Sequence, residues 1–199
     1  VDALRLLLGT VRMDGIVVIG EGEKDEAPML YIGEIVGNGR GPQVDDAVDP
    51  VEGTNLLAKG LPNSISVVAI AARGTLFNPG PAFYMDKLVT GPAGVGVVDI
   101  RRPIGDNIRR LARALGKPVD EMIVSVLNRP RHAQLIHDIR EVGAATRLIS
   151  DGDIAGVIHA TDAEETGIDI YIGSGGAPEG VLAAAALRCV GGFMQGRLI

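Results

Sequence analysis

The chain has 199 residues, 46% of them hydrophobic, and a mean hydropathy of +0.25, enough apolar surface for a core in one large domain or two small ones. A formal net charge of −6 excludes the basic footprint of a nucleic-acid groove. The single Cys189 excludes an intrachain disulfide, and no stretch nears the roughly 20 apolar residues that span a bilayer.

Aromatic residues make up only 3% and Trp is absent, so Val, Ile, Leu and Ala must build the core. Those residues suit helices packed on a largely buried sheet, and an α/β class follows. The expected compartment is the cytoplasm. The chain opens at Val1 inside an amphipathic stretch (Leu4, Leu7, Leu8, Val11) with no signal peptide in view, which predicts a fragment or a processed start. Residues 15–20 then form a β-branched run bounded by glycines, a buried strand ending at Glu21-Gly22-Glu23-Lys24. Ala47-Val48-Asp49 follows the same logic, and Ile65 to Ala71 is a further strand led in by Asn63 and Ser64. A Gly- and Pro-rich stretch over 74–81 turns the chain into a strand at 82–89, and Gly94 to Ile100 reads as the last strand of a half in which period 2 dominates.

From about residue 103 helix and strand alternate, which predicts two domains: a metal-binding, strand-rich α+β domain over 1–102 and a partial α/β substrate-binding domain over 103–199. Ile108, Leu111, Ala112 and Leu115 stripe a helix, Met122 to Leu127 is a strand, and Leu135, Ile136, Ile139 and Val142 stripe the next helix. Ala145 to Ile149, a helix from near Gly152, the strand Ile168 to Ile172 and the helix Pro178 to Val190 continue the alternation.

The chemistry gathers at strand ends, where open α/β sheets bind ligands. Asp49-Pro50-Val51-Glu52-Gly53-Thr54 joins two carboxylates, a rigid turn and a hydroxyl. It admits two readings: a polar turn with a helix N-cap at Thr54, or a site for Mg²⁺ or Mn²⁺, which take carboxylate oxygens and complete their shells with water and phosphate. Glu21 and Glu23, Arg129 and Arg131, Asp151 and Asp153, and Gly175, Gly176 and Glu179 follow other strands. Acids there suit metal or sugar hydroxyls, arginines suit a phosphate, and each group alone also reads as an ordinary solvated loop or cap. Residues 173–180 suggest a dinucleotide loop, but Pro178 stands where G-x-G-x-x-G needs its third glycine, and a loop presenting Glu179 to a metal fits better. His137, His159 and Cys189 read as structural. His132 reads as structural or as a support for the adjacent arginines.

Taken together, Gly20-Glu21-Gly22-Glu23, the segment 25–33, Ala47 to Thr54, Arg129-Pro130-Arg131-His132, Asp151-Gly152-Asp153 and Gly175 to Gly180 resemble the class II fructose-1,6-bisphosphatases. The resemblance runs through the whole chain and includes bacterial relatives that also hydrolyse sedoheptulose 1,7-bisphosphate. It implies the layered α-β-α-β-α fold of the lithium-sensitive, metal-dependent sugar phosphatases, the inositol monophosphatase type, here incomplete at both termini. It implies that Glu21 binds one metal and that Asp49, Glu52 and Glu179 bind another, with two or more Mg²⁺ or Mn²⁺ ions in all. Thr54 would position the attacking water, with Glu52 and Asp49 completing the catalytic set. Glu52, Gly53, Thr54, Tyr84, Arg129, Pro130, Arg131, Asp151, Gly152, Asp153 and Gly176 would hold the sugar bisphosphate.

The reaction so implied is hydrolysis of the 1-phosphate of fructose 1,6-bisphosphate. Sedoheptulose bisphosphate and an inositol phosphate are the rival substrates, and a non-catalytic sugar-phosphate binder is the rival of another class. A homo-oligomer, dimer or tetramer, is expected, with no nucleic-acid or membrane partner. Family chains carry an upstream segment with a metal-binding aspartate and continue past the position of Ile199, so weak metal binding and weak activity are expected of these 199 residues alone.

Overall fold

A computed structural model describes residues 1–21 and 30–199. Glu23 and residues 25–29 of the expected motifs lie outside the described residues. The first sheet is built from β1 (Asp14–Ile19), β2 (Ile35–Val36), β3 (Gln43–Glu52) and β4 (Ile65–Ala72), in the order β2-β1-β3-β4. Only β1 and β3 run parallel. The second sheet takes β5 (Tyr84–Thr90), β6 (Ile123–Leu127), β7 (Ala145–Ile149), β8 (Ile170–Gly176) and β9 (Phe193–Leu198), in the order β7-β6-β8-β5-β9. Here β6 is parallel to β7 and β8, while β5 is antiparallel to both of its neighbours.

Seven helices accompany the strands among the described residues: α1 (Asp2–Leu8), α2 (Thr54–Ala58), α3 (Ile104–Leu115), α4 (Ala133–Glu141), α5 (Asp153–His159), α6 (Ala163–Thr166) and α7 (Ala177–Val190). Four apolar clusters set the layers. Leu8 of α1 packs with Val17, Val44 and Val48 on one face of the first sheet. The other face, through Ile19 and Ala47, meets Ile154 of α5 and Val181 and Leu182 of α7. Those helices also bury Val157, Ala183 and Leu187 against Val89 and Tyr171 of the second sheet, whose far face packs on Ile108 and Leu111 of α3 and Ile139 of α4. The stack is therefore α-β-α-β-α. Being hydrophobic on two sides, α7 is nearly all small apolar residues, as a helix between two sheets must be.

Three parts of the sequence reading are corrected. Gly94 to Ile100 is no strand: Val97 N and Val98 N both donate to Gly94 O at 3.0 and 3.1 Å, and the buried Asn107 side chain clasps Asp99 through its N and O, both at 2.9 Å. Gly94 and Gly96 favour this turn over a ladder. The strand β5 joins the second sheet, so the sheets part near residue 84, before the change of pattern at 103. Residues 193–198, unassigned from sequence because Gly196 and Arg197 break the alternation, form the edge strand β9. The opening helix buries only Leu8, leaving Leu6 and Leu7 exposed.

Most buried charges are partnered. Asp169 accepts Lys117 Nζ and Ile123 N, all at 2.9 Å, tying β8 to the entry of β6, and Glu34 accepts Arg5 Nε and Leu30 N. Asp46 is the exception. It lies on β3 between Val44 and Val48, on the face under α1, fully buried, with neither carboxylate oxygen hydrogen-bonded. The absence of a side chain at Gly15 makes the space, since a Cβ there would collide with the carboxylate. Burial pushes the Asp46 pKa up to about 6 against a weaker opposing pull from Arg73.

The unfolded chain, with its carboxyl near 3.8, ionises first as pH rises. The stability this group confers is thus complete below about pH 4 and lost as pH climbs through about 6, a loss of about 3 kcal/mol by about pH 7.5. Urea unfolding across this range is expected to show that Asp46→Asn removes that share of the decline. Parallel pH profiles for the two proteins would assign the carboxyl a partner instead.

Candidate metal and phosphate site

β1 and β3 end at the same edge of the first sheet, with Ile19 level with Ala47. Glu21 and Asp49 each follow two residues later. Pro50 then interrupts β3, because it has no N–H to give the ladder, and the register against β4 shifts between Asp49 and Glu52. Asp49 Oδ1 spans this irregularity by accepting Val51 N at 3.1 Å. The shift carries Glu52 inward, to 4% exposure, and Ser64 Oγ pins its carbonyl at 2.9 Å. Gly53 follows at φ 78° and ψ 46°, left-handed backbone that glycine adopts without strain. It caps α2, so Thr54 is the first helical residue, exposed, and not the cap.

Glu52 Oε1 accepts Ile154 N at 3.2 Å, at the first turn of α5. Glu52 Oε2 is buried and has no hydrogen-bond partner. Burial first, then the charges of Asp49 and Asp153, push the Glu52 pKa up to about 7, against the Ile154 N–H that favours the anion. Gly152, at φ 88° and ψ 63°, opens α5 in left-handed backbone that glycine adopts without strain, 3.7 Å from this oxygen at the position a Cβ would take. An orphaned buried carboxylate oxygen beside a second carboxylate is chemistry that suits a hard cation.

The Asp151-Gly152-Asp153 segment divides its labour. Asp151 Oδ2 accepts Asn55 N and Nδ2 at 3.0 and 3.1 Å, and its Oδ1 accepts Arg129 NH2 at 3.3 Å, joining the start of α2 to the loops of the second sheet. Asp153 has both oxygens engaged, one by Lys87 Nζ and one by the Tyr171 hydroxyl, in a buried cluster. The Tyr171 phenol is pushed well up, by burial and then by Asp153, and remains a donor. Gly175 makes room, since a Cβ there would collide with Asp153. Asp153 is accordingly a buried strut and not an open ligand for a sugar hydroxyl. Sequence reasoning missed Lys87 and Tyr171, although a lysine inside the apolar strand 84–90 was a signal that a buried acid faced it.

The two arginines diverge across Pro130. Arg129 donates to Ser150 O at 2.6 Å as well as to Asp151. Arg131 is exposed, donates to Ser174 O through Nε and NH2 at 3.1 and 2.7 Å, and lies 5.6 Å from the centroid of the half-exposed Tyr84 ring, a cation–π contact. His132 is buried and accepts Ser174 N at Nε2, 2.9 Å, so its Nδ1 carries the proton and donates to Leu127 O at 2.8 Å. It thereby fixes Ser174, the residue whose carbonyl Arg131 grips. Tyr84 is level with Gly176 across β5 and β8, which closes this wall.

Glu179 sits in the first turn of α7 with its carboxylate folded back over Gly176, where any Cβ would displace it. Negative charge at a helix N-terminus is favoured. Among the described residues no three His, Cys, Asp or Glu side chains form a ready-made ion cage, so the expected meeting of Glu179 with Asp49 and Glu52 is not preassembled. Glu52 is turned toward α5 and Glu179 toward its own helix start.

The family model for bacterial fructose-1,6-bisphosphatase, glpX-encoded, matches residues 1–199. The chain is 48% identical over all 199 residues to fructose-1,6-bisphosphatase 1 class 2 of Escherichia coli strain K12, covering 59% of that protein. The same identity and coverage hold for fructose-1,6-bisphosphatase class 2 of Escherichia coli O6:H1 and of Shigella flexneri. It thus spans about three-fifths of the length of these relatives. With a match over its full length, the chain belongs to the glpX-type bacterial fructose-1,6-bisphosphatase family.

Proposed function

We propose that this segment, within the complete protein, hydrolyses the 1-phosphate of fructose 1,6-bisphosphate to fructose 6-phosphate and orthophosphate in the cytoplasm. The observation that carries the reading is the unpartnered, buried Glu52 Oε2 beside Asp49. Asp49 and Glu52, with Glu21 from the neighbouring strand end and Glu179 swung from α7, would hold Mg²⁺ or Mn²⁺. When bound, the ions supply charge neutralisation and a water of lowered pKa. Residues 1–102 hold Glu21, Asp49 and Glu52, and residues 103–199 hold Glu179 and most of the substrate wall. A homo-oligomer, dimer or tetramer, is part of the same reading.

The chain's own groups divide the remaining work. Thr54, exposed at the head of α2, orients the attacking water with its hydroxyl. Arg131 exchanges the Ser174 carbonyl for the distal phosphate, an anionic acceptor that a guanidinium binds bidentately and more strongly than a carbonyl dipole, while Tyr84 holds the guanidinium plane. Asp151 and Arg129 keep the start of α2 against the second sheet, so Thr54 stays in place. Asp153, held by Lys87 and Tyr171, keeps the Ile154 N–H on Glu52 and so keeps Oε2 turned to the site.

Phosphate release with Mn²⁺ from a panel including fructose 1,6-bisphosphate, sedoheptulose 1,7-bisphosphate and an inositol phosphate tests the reading. The first is expected to be the best substrate of the full-length protein, and no release from any of them would leave only a sugar-phosphate binder. In the same protein Arg131→Ala is expected to raise KM for the bisphosphate about tenfold or more and to leave KM for a monophosphate nearly unchanged. Equal effects on both would assign Arg131 to the scissile phosphate.

Cation and proton compete for Glu52. Its carboxyl titrates at about 7, so Mn²⁺ affinity is expected to fall roughly tenfold per pH unit below that value and to level off above it. Calorimetry of Mn²⁺ binding at a series of pH values checks this. Glu52→Gln is expected to weaken binding and to flatten the profile, and a retained profile would move the titrating group elsewhere.

A further inference from the structure

Residues 101–113 contain five arginines, Arg101, Arg102, Arg109, Arg110 and Arg113, against one acid, Asp106, in a chain whose net charge is −6. Arg101 is taken by Asp99 at 2.7 Å and Arg109 by Asp106 at 3.3 Å. Among the described residues the guanidinium groups of Arg102, Arg110 and Arg113 form no hydrogen bond or ion pair. Asp106, Arg109, Arg110 and Arg113 recur at i, i+3, i+4 and i+7 of α3, opposite the buried Ile104, Ile108 and Leu111. With Arg102 they line a groove of about 350 Å³ on the outer helix layer.

An ordinary solvated helix face mixes signs, because like charges three or four residues apart repel and destabilise the helix. Here Arg110 and Arg113, and Arg109 and Arg113, are such pairs, and Asp106 alone opposes them. A bound anion relieves that repulsion. Arginine forks match phosphate oxygens bidentately, and seven residues of helix cover about 10 Å, the reach of a short phosphate chain. No aromatic side chain lines the groove for base stacking, and no exposed apolar residue lines it for insertion into lipid.

We propose that the α3 groove is a second anion site, separate from the Glu52 and Arg131 site, and that it binds a compact small molecule carrying two or more linked phosphates. Arg110 and Arg113 supply the unbalanced charge, and Arg102 closes the end nearest the start of the helix. The reading is independent of the hydrolytic one, because α3 contributes nothing to the strand ends that hold Asp49, Glu52 and Arg131.

The test is calorimetric titration of the full-length protein with inorganic tripolyphosphate and with orthophosphate, at fixed ionic strength and without divalent cations. Tripolyphosphate is expected to bind saturably and about tenfold or more tighter than orthophosphate, and Arg110→Ala/Arg113→Ala to weaken it by a similar factor. Arg131→Ala and the charge-matched surface control Arg147→Ala/Arg188→Ala are expected to leave it unchanged. Arg110→Lys/Arg113→Lys, which keeps charge and loses the fork, is expected to restore only part of the affinity. Binding unaffected by the α3 variant, lost with Arg131→Ala, or equally weakened by the control would overturn the proposal. So would a preference for duplex DNA or anionic vesicles over tripolyphosphate.

Discussion

The first turn of α5 is the point on which both sheets are hung. Glu52 at the end of β3 accepts the Ile154 N–H, while the adjacent Asp153 takes Lys87 from β5 and Tyr171 from β8. Two neighbouring residues of one short helix therefore bind one sheet above and one below. A lysine at 1% exposure is tolerable only with its counter-charge in place, and removing one partner of such a pair costs about 3–5 kcal/mol because the other is left charged in a dry interior. The ion pair is a poor source of net stability and a strong source of position. It fixes where α5 begins, and α5 fixes which way Glu52 turns.

The same constraint explains the glycines around the turn. Gly175 and Gly176 are the places where a Cβ would collide with a carboxylate, that of Asp153 and that of Glu179, while Gly152 supplies the left-handed backbone that opens α5. The carboxylates occupy volume that neighbouring Cβ atoms would otherwise fill. Polar groups at this density, in a core otherwise of Val, Ile, Leu and Ala, stay soluble in the interior only by satisfying one another.

How much of this was legible in the sequence depends on the range over which each signal acts. The strands at 15–20 and 65–71 and the helices under Ile108 and Ile139 are local patterns of hydrophobic period, and they hold to within a few residues. Pro50 and Gly53 announced a turn with two carboxylates because their backbone limits are intrinsic. Membership of β5 in the second sheet, and the edge strand β9 that pairs with it, depend on partners about a hundred residues apart, for which the sequence carries no period. Asp153 was legible as an acid after a strand, but its burial was not. That depends on Lys87 and Tyr171, two residues on different strands that meet only after both sheets have formed. The divergence of Arg129 and Arg131 was equally hidden, since Pro130 sets the directions of its neighbours and their partners, Asp151 and Ser174, come from a later loop and a later strand.

Acids inside this protein fall into two kinds, and the difference lies in what surrounds the oxygens. Glu34, Asp153 and Asp169 have donors on both oxygens, and Asp45 accepts Gly74 N and Leu76 N on one oxygen with Arg73 Nε 3.6 Å from the other, so all four serve as struts. Asp46 and Glu52, both on β3, lack such closure, and burial raises the pKa of each toward neutrality. Their surroundings then separate them. Asp46 is sealed under α1 between valines, where a proton is the only cation small enough to enter, so its unmet solvation appears as a dependence of stability on pH. Glu52 lies at the strand end with Asp49 adjacent, so in the proposed reading the same penalty is relieved by a cation shared with that second carboxylate. A carboxylate that pays for burial without receiving donors raises the affinity of its surroundings for positive charge, and the place of Glu52 at the strand end beside Asp49 is what the proposed metal reading rests on, where Asp46 has no such neighbour at an opening.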